Sequence, residues 1–491
     1  MAPRITNVFV LMLENRSFDH MLGFSALTGT DAATGQGTRV NGLTTQSNSY
    51  AGLQYPVDDR ASDPMPVDPA HEFVDAVTQL CGADATYPLG GPYPNIDNSG
   101  FVAAYAYSPS SDEGNAPGDY GRIMSCQAPN NLPYLNQLAS AFAVCDNWFA
   151  SIPGPTIPNR FFALAASSAG LDHSPTTAEL LTWEGLDGFE FPNGTLFDRL
   201  TKADDWRIYS DGPTALSSAI KGIHPDDVKD FANFATDIRA TSYLPRFTWI
   251  EPDYGDIFLG TYKGGTSQHP LDGVAGGENL IKETYEALCA SPIWPNSVLI
   301  ITWDEHGGFY DHVAPPPARP PADTTPGSKF NQYHFPFDRY GVRVPAIVIS
   351  PYVPAGTIDH RTYDHSSIPR TVAAAFGLPP LTDRDQAANS VLPLLSLAGM
   401  RTDCPAQLIS APRSPAATAA IAAAPPATDG PLSGNTASFL HVAMRQDLAL
   451  SPPAQKHAIL TRVQAIRTRA EAKQYFDEVT ARMAARHRAQ P

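Results

Sequence analysis

Residues 5–13, with the sequence ITNVFVLML, decide the fold because they form a nearly continuous apolar run of the length of one β-strand. Such a run is typical of a central strand that helices cover on both faces of the sheet. Two similar runs occur at 297–303 (SVLIITW) and 344–350 (VPAIVIS), and helical patterns precede them at 133–142 and 277–290. We therefore predict an α/β fold, with a mostly parallel central sheet sandwiched by helices and with ligands bound beyond the carboxyl ends of its strands.

The composition of the 491-residue chain predicts a soluble globular protein. Hydrophobic residues make up 43% of it, and 33 basic against 50 acidic residues give a net charge of −17. This charge repels phosphate backbones, so we expect no nucleic-acid partner. No apolar run approaches the roughly 20 residues of a membrane-spanning helix. No signal peptide is evident, so we expect a cytoplasmic protein, or one exported or secreted by a route that the sequence does not reveal.

Changes in composition divide the chain into three parts. We predict a catalytic domain over 1–405, an Ala/Pro-rich linker over 406–435 and a basic helical C-terminal segment over 436–491. Apolar residues recur at helical spacing over 460–470, and residues 456–491 hold eight Lys and Arg against three Asp and Glu. This segment can either pack on the body with its charges solvated or dock on a membrane or a partner.

The segment ENRSFDH, residues 14–20, places charged side chains directly after the first buried strand. Glu14 and Asn15 would offer a carboxylate and an amide oxygen side by side. Such hard oxygen ligands suit Mg²⁺, Ca²⁺ or Mn²⁺, although carboxylates also bind zinc. By itself, the segment is explained equally well as the charged N-terminus of a helix.

The second long apolar strand repeats this arrangement, since Asp304 and Glu305 follow it directly. Adjacent carboxylates repel each other unless a cation or a proton lies between them. One divalent metal ion held by Glu14, Asn15, Asp304 and Glu305 would relieve both clusters. The alternative is a surface turn whose acidic groups are solvated.

The loop SIPGPTIPNR, residues 151–160, is stiffened by three prolines and presents the hydroxyl of Thr156. A hydroxyl becomes a competent nucleophile when a metal ion lowers its pKa. Asn159 and Arg160 can donate hydrogen bonds to phosphate oxygens, the arginine as a bidentate fork. A purely structural Pro-rich loop is the alternative.

Three histidines, His71, His269 and His312, are candidates for proton transfer. An imidazole titrates near neutral pH, which suits protonation of an alkoxide leaving group. A lone histidine is more often structural than catalytic, so each candidate depends on being brought to the same site.

Four motifs, in this order, resemble the phosphoesterase family of bacterial non-haemolytic phospholipases C, plant non-specific phospholipases C and a bacterial acid phosphatase. They are ENRSFDH, PGPTIPNR, WDEHGGFYDHVAPP and YGVRVPAIVISPY, within a match over about residues 5–380. The resemblance implies a fold similar to alkaline phosphatase, with a single divalent metal beside a Thr or Ser nucleophile. Carried over to this sequence, it implies the metal ligands Glu14, Asn15, Asp304 and Glu305, the nucleophile Thr156, and the active-site histidines His71 and His269.

The activity that the resemblance implies is metal-dependent hydrolysis of a phosphate ester. We expect a phospholipase C that converts a phosphatidylcholine-like phospholipid to diacylglycerol and a phosphorylated headgroup through a phosphothreonine intermediate. The alternatives are an acid phosphatase that uses the same site and, with less support, a non-catalytic binding protein on this scaffold. A phospholipid or other phosphate ester is the expected partner, with transient contact at a membrane surface. The metal ion stays open among Ca, Mg, Mn and Zn.

Overall fold

The structure, a computed structural model, describes residues 5–108, 120–182, 187–200, 204–240, 242–323, 329–410, 432 and 434–489. Its strands are β1 Asn7–Leu13, β2 Thr28–Asp31, β3 Gly37–Arg39, β4 Ser47–Tyr50, β5 Leu53–Pro56, β6 Ala143–Cys145, β7 Trp148–Phe149, β8 Trp206–Ser210, β9 Val228–Asp230, β10 Phe247–Glu251, β11 Ser297–Trp303, β12 Ala346–Ile349, β13 Thr357–Asp359 and β14 Tyr363–Asp364. Its α-helices are α1 Phe18–Leu22, α2 Phe73–Cys81, α3 Phe101–Ala106, α4 Pro133–Ala141, α5 Thr156–Ala165, α6 Thr177–Leu180, α7 Leu196–Arg199, α8 Phe234–Asp237, α9 Ala275–Cys289, α10 Ser367–Phe376, α11 Asp383–Ala387, α12 Gly434–Leu450, α13 Lys456–Ala465 and α14 Arg469–Ala489.

Within these described ranges, ten strands form one sheet in the order β3-β2-β13-β6-β12-β11-β1-β10-β8-β9. Six of its nine strand pairings are parallel and three are antiparallel. The two predicted helical patterns form α4 and α9. The predicted α/β class, with a mostly parallel central sheet, is confirmed.

The centre of the sheet is formed by the strand that begins the chain. β1 lies between β10 and β11 and runs parallel to both, with Leu13 beside Trp303 and Leu11 beside Ile250. Every residue of the three strands is buried, which explains why their sequences are continuous apolar runs rather than alternating ones. The carboxyl ends of these strands therefore meet at one edge of the sheet.

The third predicted apolar run forms β12, but this strand runs antiparallel to β11 and to β6. The described part of the connection from β11 to β12 contains no helix that could return the chain to the starting edge, as a parallel strand requires. The carboxyl end of β12 consequently lies at the opposite edge from Glu14 and Asp304.

The C-terminal helices pack against the body of the protein. Apolar side chains of α12, α13 and α14 belong to the same hydrophobic core as the sheet, and Phe439 packs edge-on against Tyr254 with ring centroids 4.8 Å apart. The guanidinium of Arg445 donates to the backbone carbonyls of Ser218 and Ile220. Of the predicted linker, residues 411–431 and 433 lie outside the described residues. No helix among the described residues combines the length and apolarity needed to cross a bilayer.

Candidate active site

Three acidic side chains lie where the central strands end. Glu14 follows β1, Asp304 follows β11 and Glu251 is the last residue of β10, and all three are buried. Because these strands are parallel neighbours, their ends bring the acids to one edge of the sheet. The fold thus concentrates negative charge at a place from which water is largely excluded.

Asn15 and Glu305 complete a buried group of four oxygen-bearing side chains with Glu14 and Asp304. The backbone N–H of Asn15 donates to Asp304 Oδ1 at 3.1 Å, and its side-chain amide contacts Glu305 Oε1. The backbone N–H of Glu305 donates to the same Asp304 oxygen at 2.7 Å. The structure therefore brings together the four side chains that the sequence predicts as metal ligands. We call them the oxygen cluster.

Burial and mutual repulsion make Glu14 and Asp304 costly to ionise. Burial, followed by the charge of Asp304, raises the pKa of Glu14 to about 8. Burial also raises the pKa of Asp304 to about 6, although the nearby Arg160 opposes the shift. Neighbouring carboxylates in such a place are stabilised by a shared proton or by a cation between them.

The backbone around the oxygen cluster is closely packed. Asn15 has a φ of 62°, an unusual left-handed conformation for a residue other than glycine. Gly307 has a φ of 61°, and a Cβ there would lie 2.3 Å from the carbonyl oxygen of Asn15. The turn after Glu305 can thus approach the end of β1 only because Gly307 has no side chain.

Thr156 is the first residue of α5 and is buried beside the oxygen cluster. The Asn15 amide donates to its Oγ1 at 3.3 Å. The first turn of a helix leaves backbone N–H groups without intrahelical acceptors, and the helix dipole favours an anion there. Thr156 therefore combines a hydroxyl, a neighbouring carboxylate cluster and an anion-binding helix end.

Asn159 has a different role from the predicted contact with phosphate. Its amide NH₂ donates to the carbonyl oxygens of Ile152, Gly154 and Pro155, and its Oδ1 accepts from the backbone N–H of Ile152 at 3.1 Å. Both ends of the side chain are thus engaged by the loop that precedes Thr156. This corrects the sequence-based assignment: Asn159 holds the loop in shape.

Arg160 lies against the oxygen cluster, but most of its guanidinium is already engaged. Its Nε donates to Asp304 Oδ2 at 2.8 Å and its Nη2 to the carbonyl oxygen of Leu13 at 3.0 Å. Its cationic carbon lies 5.4 Å from the centre of the Tyr254 ring, and Nη1 lies 4.0 Å from Glu251. The predicted bidentate fork is therefore directed at the protein, and Nη1 is the nitrogen that stays available for a ligand.

His71 and His269 face each other at the rim of the oxygen cluster, with ring centroids 6.2 Å apart. Nε2 of His71 lies 3.9 Å from Glu305, and Nε2 of His269 lies 3.8 Å from Asp68. The His269 ring stacks on Tyr262 with centroids 3.4 Å apart, and its Nδ1 accepts from the backbone N–H of Leu271 at 3.2 Å. Burial, followed by the charges of His71 and Arg16, lowers the pKa of His269 well below its ordinary value. A neutral His269 consequently carries its proton on Nε2.

His312 belongs to a separate network, which corrects its assignment to the site. Its Nδ1 lies 2.7 Å from Asp19 Oδ2, and its Nε2 lies 3.2 Å from Asn41 Oδ1. Asp19 and Asp311 in turn pair with the buried guanidinium of Arg343, each at 2.9 Å. Asp19, Asp311 and His312 are close enough together to hold an ion, but both carboxylates already pair with Arg343.

Five buried polar atoms around this site have no hydrogen-bond partner within the protein. They are Glu14 Oε1, Asn15 Oδ1, Asp68 Oδ1, Arg160 Nη1 and His269 Nε2. Buried polar atoms in folded proteins almost always have partners, because an unpaired one costs about 1–3 kcal/mol. Five of them around one site, three acceptors and two donors, indicate a site built for a cation and an anionic ligand.

Two residues that support the site were not identified from the sequence. His365 Nε2 donates to the carbonyl oxygen of Asp304 at 2.5 Å, and its Nδ1 accepts from Trp148 Nε1 at 3.3 Å. Glu251 accepts from Tyr254 Oη and from the backbone N–H groups of Leu216 and Ser217. A signal for each was present: Asp364-His365 repeats the Asp-His pairs of 19–20 and 311–312, and Glu251 ends an apolar strand as the predicted ligands do.

Comparison with known proteins gives consistent matches over most of the chain. The model of the family described as "Phosphoesterase family" matches residues 5–379. Non-specific phospholipase C6 of Arabidopsis thaliana is 37% identical over 435 residues, which cover 82% of this chain and 75% of that protein. Phospholipase C B of Mycobacterium tuberculosis is 29% identical over 419 residues, which cover 76% of this chain and 74% of that protein.

Among solved structures, the chain is similar to a protein in the alkaline phosphatase superfamily from Vibrio parahaemolyticus. That similarity has a TM-score of 0.31 at 13% sequence identity and covers 52% of this chain and 64% of the other.

Proposed function

Because the chain belongs to the Phosphoesterase family, we propose that it is a phospholipase C that hydrolyses a phosphatidylcholine-like phospholipid to diacylglycerol and a phosphorylated headgroup. Relatives that cover most of the chain carry the name phospholipase C. The observation that carries the proposal is the set of unpartnered buried atoms at the site of Thr156, whose hydroxyl lies beside the oxygen cluster and accepts from the Asn15 amide.

A divalent metal ion fits the oxygen cluster. Glu14, Asn15, Asp304 and Glu305 would hold it, since their oxygens are hard ligands and two of these oxygens are buried without partners. The raised pKa values of Glu14 and Asp304 also support a bound metal ion, because a cation would relieve the repulsion between the two carboxylates. When bound, the ion would supply Lewis-acid stabilisation of the threonine alkoxide and of the phosphoryl oxygens. Its identity among Ca, Mg, Mn and Zn stays open.

In the proposed reaction, Thr156 releases its hydroxyl proton to solvent and its Oγ1 forms a bond to phosphorus while the bond from phosphorus to the diacylglycerol oxygen breaks. The backbone N–H groups at the start of α5 and Nη1 of Arg160 stabilise charge on the phosphoryl oxygens. A protonated histidine, His71 with His269 beside it, gives its proton to the leaving oxygen and becomes neutral. Water then gives a proton back to this histidine as its oxygen attacks phosphorus, the bond to Thr156 breaks, and the threonine oxygen takes up a proton from solvent as the phosphorylated headgroup leaves.

Charge distinguishes His71 from His269 as the proton donor. Nε2 of His269 is buried, unpartnered and protonated in the neutral ring, because Nδ1 already accepts a backbone N–H. Nδ1 of His71 is within 2.7 Å of the Pro69 carbonyl oxygen, so its Nε2 is directed toward Glu305. Burial opposes protonation of His71, but the charges of Glu305 and Asp68 raise its pKa to about 10, so we assign the proton transfer to His71 and a hydrogen bond to the leaving oxygen to the neutral His269.

The decisive experiment compares substrates and nucleophile variants of the whole protein. Purified protein, supplied in parallel with Ca²⁺, Mg²⁺, Mn²⁺ or Zn²⁺, is assayed with phosphatidylcholine, sphingomyelin and p-nitrophenyl phosphate. We expect phosphocholine release from phosphatidylcholine to exceed monoester hydrolysis. Thr156→Ala should lower turnover by at least about 10³-fold, the scale of losing a nucleophile, whereas Thr156→Ser, which retains a hydroxyl, should keep measurable activity.

Two outcomes would contradict the proposal. Turnover above a few per cent of wild type in Thr156→Ala would exclude the covalent step. Preferential hydrolysis of p-nitrophenyl phosphate would favour the acid phosphatase alternative, in which the same residues act on a monoester.

A further inference from the structure

Large hydrophobic side chains that are strongly exposed are concentrated in one stretch of the described chain. Of the seven such residues, four lie within 53–107, the stretch that also contains Asp68 and His71; they are Leu53, Val74, Leu89 and Tyr107, which are 57%, 46%, 68% and 67% exposed. The other three are Leu244, Met400 and Ile409. Single exposed apolar residues are ordinary, but a concentration beside a functional site marks an interaction surface.

Helices α2 and α3 place two of these residues at the same end of a helix pair. The backbone N–H of Gly100, at the start of α3, donates to the carbonyl oxygen of Gln79 near the end of α2. Just past the end of α3, Ser108 Oγ donates to the carbonyl oxygen of Asp68 at 2.8 Å. The two helices are therefore antiparallel, so Val74 near the start of α2 and Tyr107 after α3 lie at the end that carries Asp68.

The hairpin of β4 and β5 extends toward the same end. Asn48 near its base accepts from the backbone N–H of Val102 in α3, whereas Tyr50 near its tip contacts the ring of Tyr107 with centroids 5.9 Å apart. The strand thus runs along α3, and Leu53, which pairs with Tyr50 across the hairpin, lies near the same helix end. Tyr87, two residues before Leu89, packs on Phe73 at the first turn of α2.

The charge near these side chains restricts the kind of partner that this surface can bind. At the end that carries Val74, the acidic residues Glu72 and Asp75 flank the start of α2, and the single Arg within 53–107, Arg60, pairs with Asp58, while this stretch contains no Lys. Such a surface repels anionic lipids and nucleic acids, and it complements the quaternary ammonium groups that cover a phosphatidylcholine surface. Leucine, valine and tyrosine are side chains that enter the interfacial layer of a bilayer without needing a charge partner.

We propose that Leu53, Val74, Leu89 and Tyr107 form a lipid-docking surface that inserts shallowly into a zwitterionic phospholipid layer. This docking places the rim of the active site, at Asp68 and His71, against the layer. This inference rests on the proposed function, since it makes the lipid layer the source of the substrate. Docking at this end shortens the path by which a phospholipid headgroup reaches Thr156, while its acyl chains remain among the inserted side chains. The docking surface acts on binding to the layer and takes no part in the chemistry.

The test uses the full chain with all four residues of the docking surface changed to serine: Leu53→Ser, Val74→Ser, Leu89→Ser and Tyr107→Ser. The matched control carries Leu244→Ser, Met400→Ser and Ile409→Ser, exposed apolar residues elsewhere on the protein. Co-sedimentation with phosphatidylcholine vesicles should fall by about tenfold or more in the docking variant and stay near wild type in the control. Vesicles enriched in phosphatidylglycerol should bind wild-type protein less tightly.

Hydrolysis assays distinguish a loss of docking on the lipid layer from a loss of catalytic activity. The docking variant should lose activity on vesicles but keep kcat/KM within about twofold on p-nitrophenyl phosphorylcholine, a water-soluble diester, since no altered residue touches the site. If neither substrate is hydrolysed by wild type, the proposed function fails while the sedimentation result still decides the docking surface.

Any of the following results overturns the inference. These are wild-type protein that does not bind phosphatidylcholine vesicles, a docking variant that binds as wild type does, a control that loses binding equally, and tighter binding to the anionic vesicles. A wild-type dimer in gel filtration that the docking variant dissociates would likewise overturn it, because the surface would then be covered by a second copy of the chain.

Discussion

Asn159 and Arg160 are adjacent polar residues whose chemistry alone predicts contact with phosphate, yet the structure engages them differently. The Asn159 amide is fully occupied by backbone groups of residues 152–155. The Arg160 guanidinium pairs with Asp304 and retains one nitrogen without a partner. A side chain is available to a substrate only when nothing in the fold has satisfied its donors and acceptors. Residue type therefore predicts what a side chain can bind, but the surrounding backbone decides what it does bind.

Asn159→Ala should lower kcat by about 100-fold, because the loop that presents Thr156 loses its internal support and small displacements of a nucleophile are costly. The metal content of the purified protein should stay at the wild-type level, since Asn159 does not belong to the oxygen cluster. Steady-state kinetics and elemental analysis measure the two quantities. A rise in KM with unchanged kcat would instead indicate that Asn159 binds the substrate directly.

Strand ends and the turns that follow them position the oxygen cluster. β1 and β11 end side by side. The turn at Gly307 then brings the chain back against the end of β1, so that the α-carbon of Gly307 packs on the carbonyl group of Asn15. Glu305 Oε2 also accepts the backbone N–H of Gly307 at 2.8 Å, so the same turn orients this carboxylate. The conformation of a short element thus sets the position of a candidate ligand.

Gly307→Ala should reduce the free energy of unfolding by about 1–3 kcal/mol and abolish retention of a divalent metal, since the new methyl group must displace Asn15. Gly377→Ala is the matched control, because Gly377 also has a positive φ of 69° but has no atom within 4 Å of the added carbon. It should cost about 1 kcal/mol from backbone strain alone and leave metal binding unchanged. Urea unfolding and elemental analysis distinguish the two variants; equal metal retention in both would refute the role given to Gly307.

The C-terminal helices belong to the core of the molecule. Their apolar side chains join those of the central sheet, and Phe439 of α12 packs on Tyr254, the residue that lies over Arg160. The basic segment predicted from composition is therefore also part of the support behind the active site. Its charge lies on the outer faces of α13 and α14, where ion pairs such as Arg462 with Glu478 are exposed to solvent.

The buried histidine of α12 should make the stability of the whole protein sensitive to acid. Burial, followed by the charge of Arg445, lowers the pKa of His441 to about 3. An unfolded chain takes up a proton at this residue below about pH 6.5, whereas the folded protein does not, so the stabilisation is present above that pH and is lost as the pH falls toward 3. The contribution lost between pH 6.5 and pH 5 is about 2 kcal/mol.

Urea unfolding at pH 7 and pH 5 measures this effect. The difference between the two free energies of unfolding should be smaller by about 2 kcal/mol in His441→Gln than in wild type. His457→Gln, at an exposed position on α13, should retain the wild-type difference. An unchanged difference in His441→Gln would show that His441 does not remain neutral in the folded protein.

The sequence by itself determined the fold class, the metal-ligand candidates Glu14, Asn15, Asp304 and Glu305, and the candidate nucleophile Thr156. The ligand candidates were readable because buried parallel strands are continuously apolar, so polar residues directly after them stand out, whereas Thr156 was marked by its Pro-rich loop and by the family resemblance. Tertiary structure alone decided the antiparallel direction of β12, the loop-holding role of Asn159, the exclusion of His312 from the site, and the roles of His365 and Glu251. Each of these depends on contacts between residues far apart in the chain. Local periodicity and residue type carry no information about which distant group satisfies a given donor or acceptor.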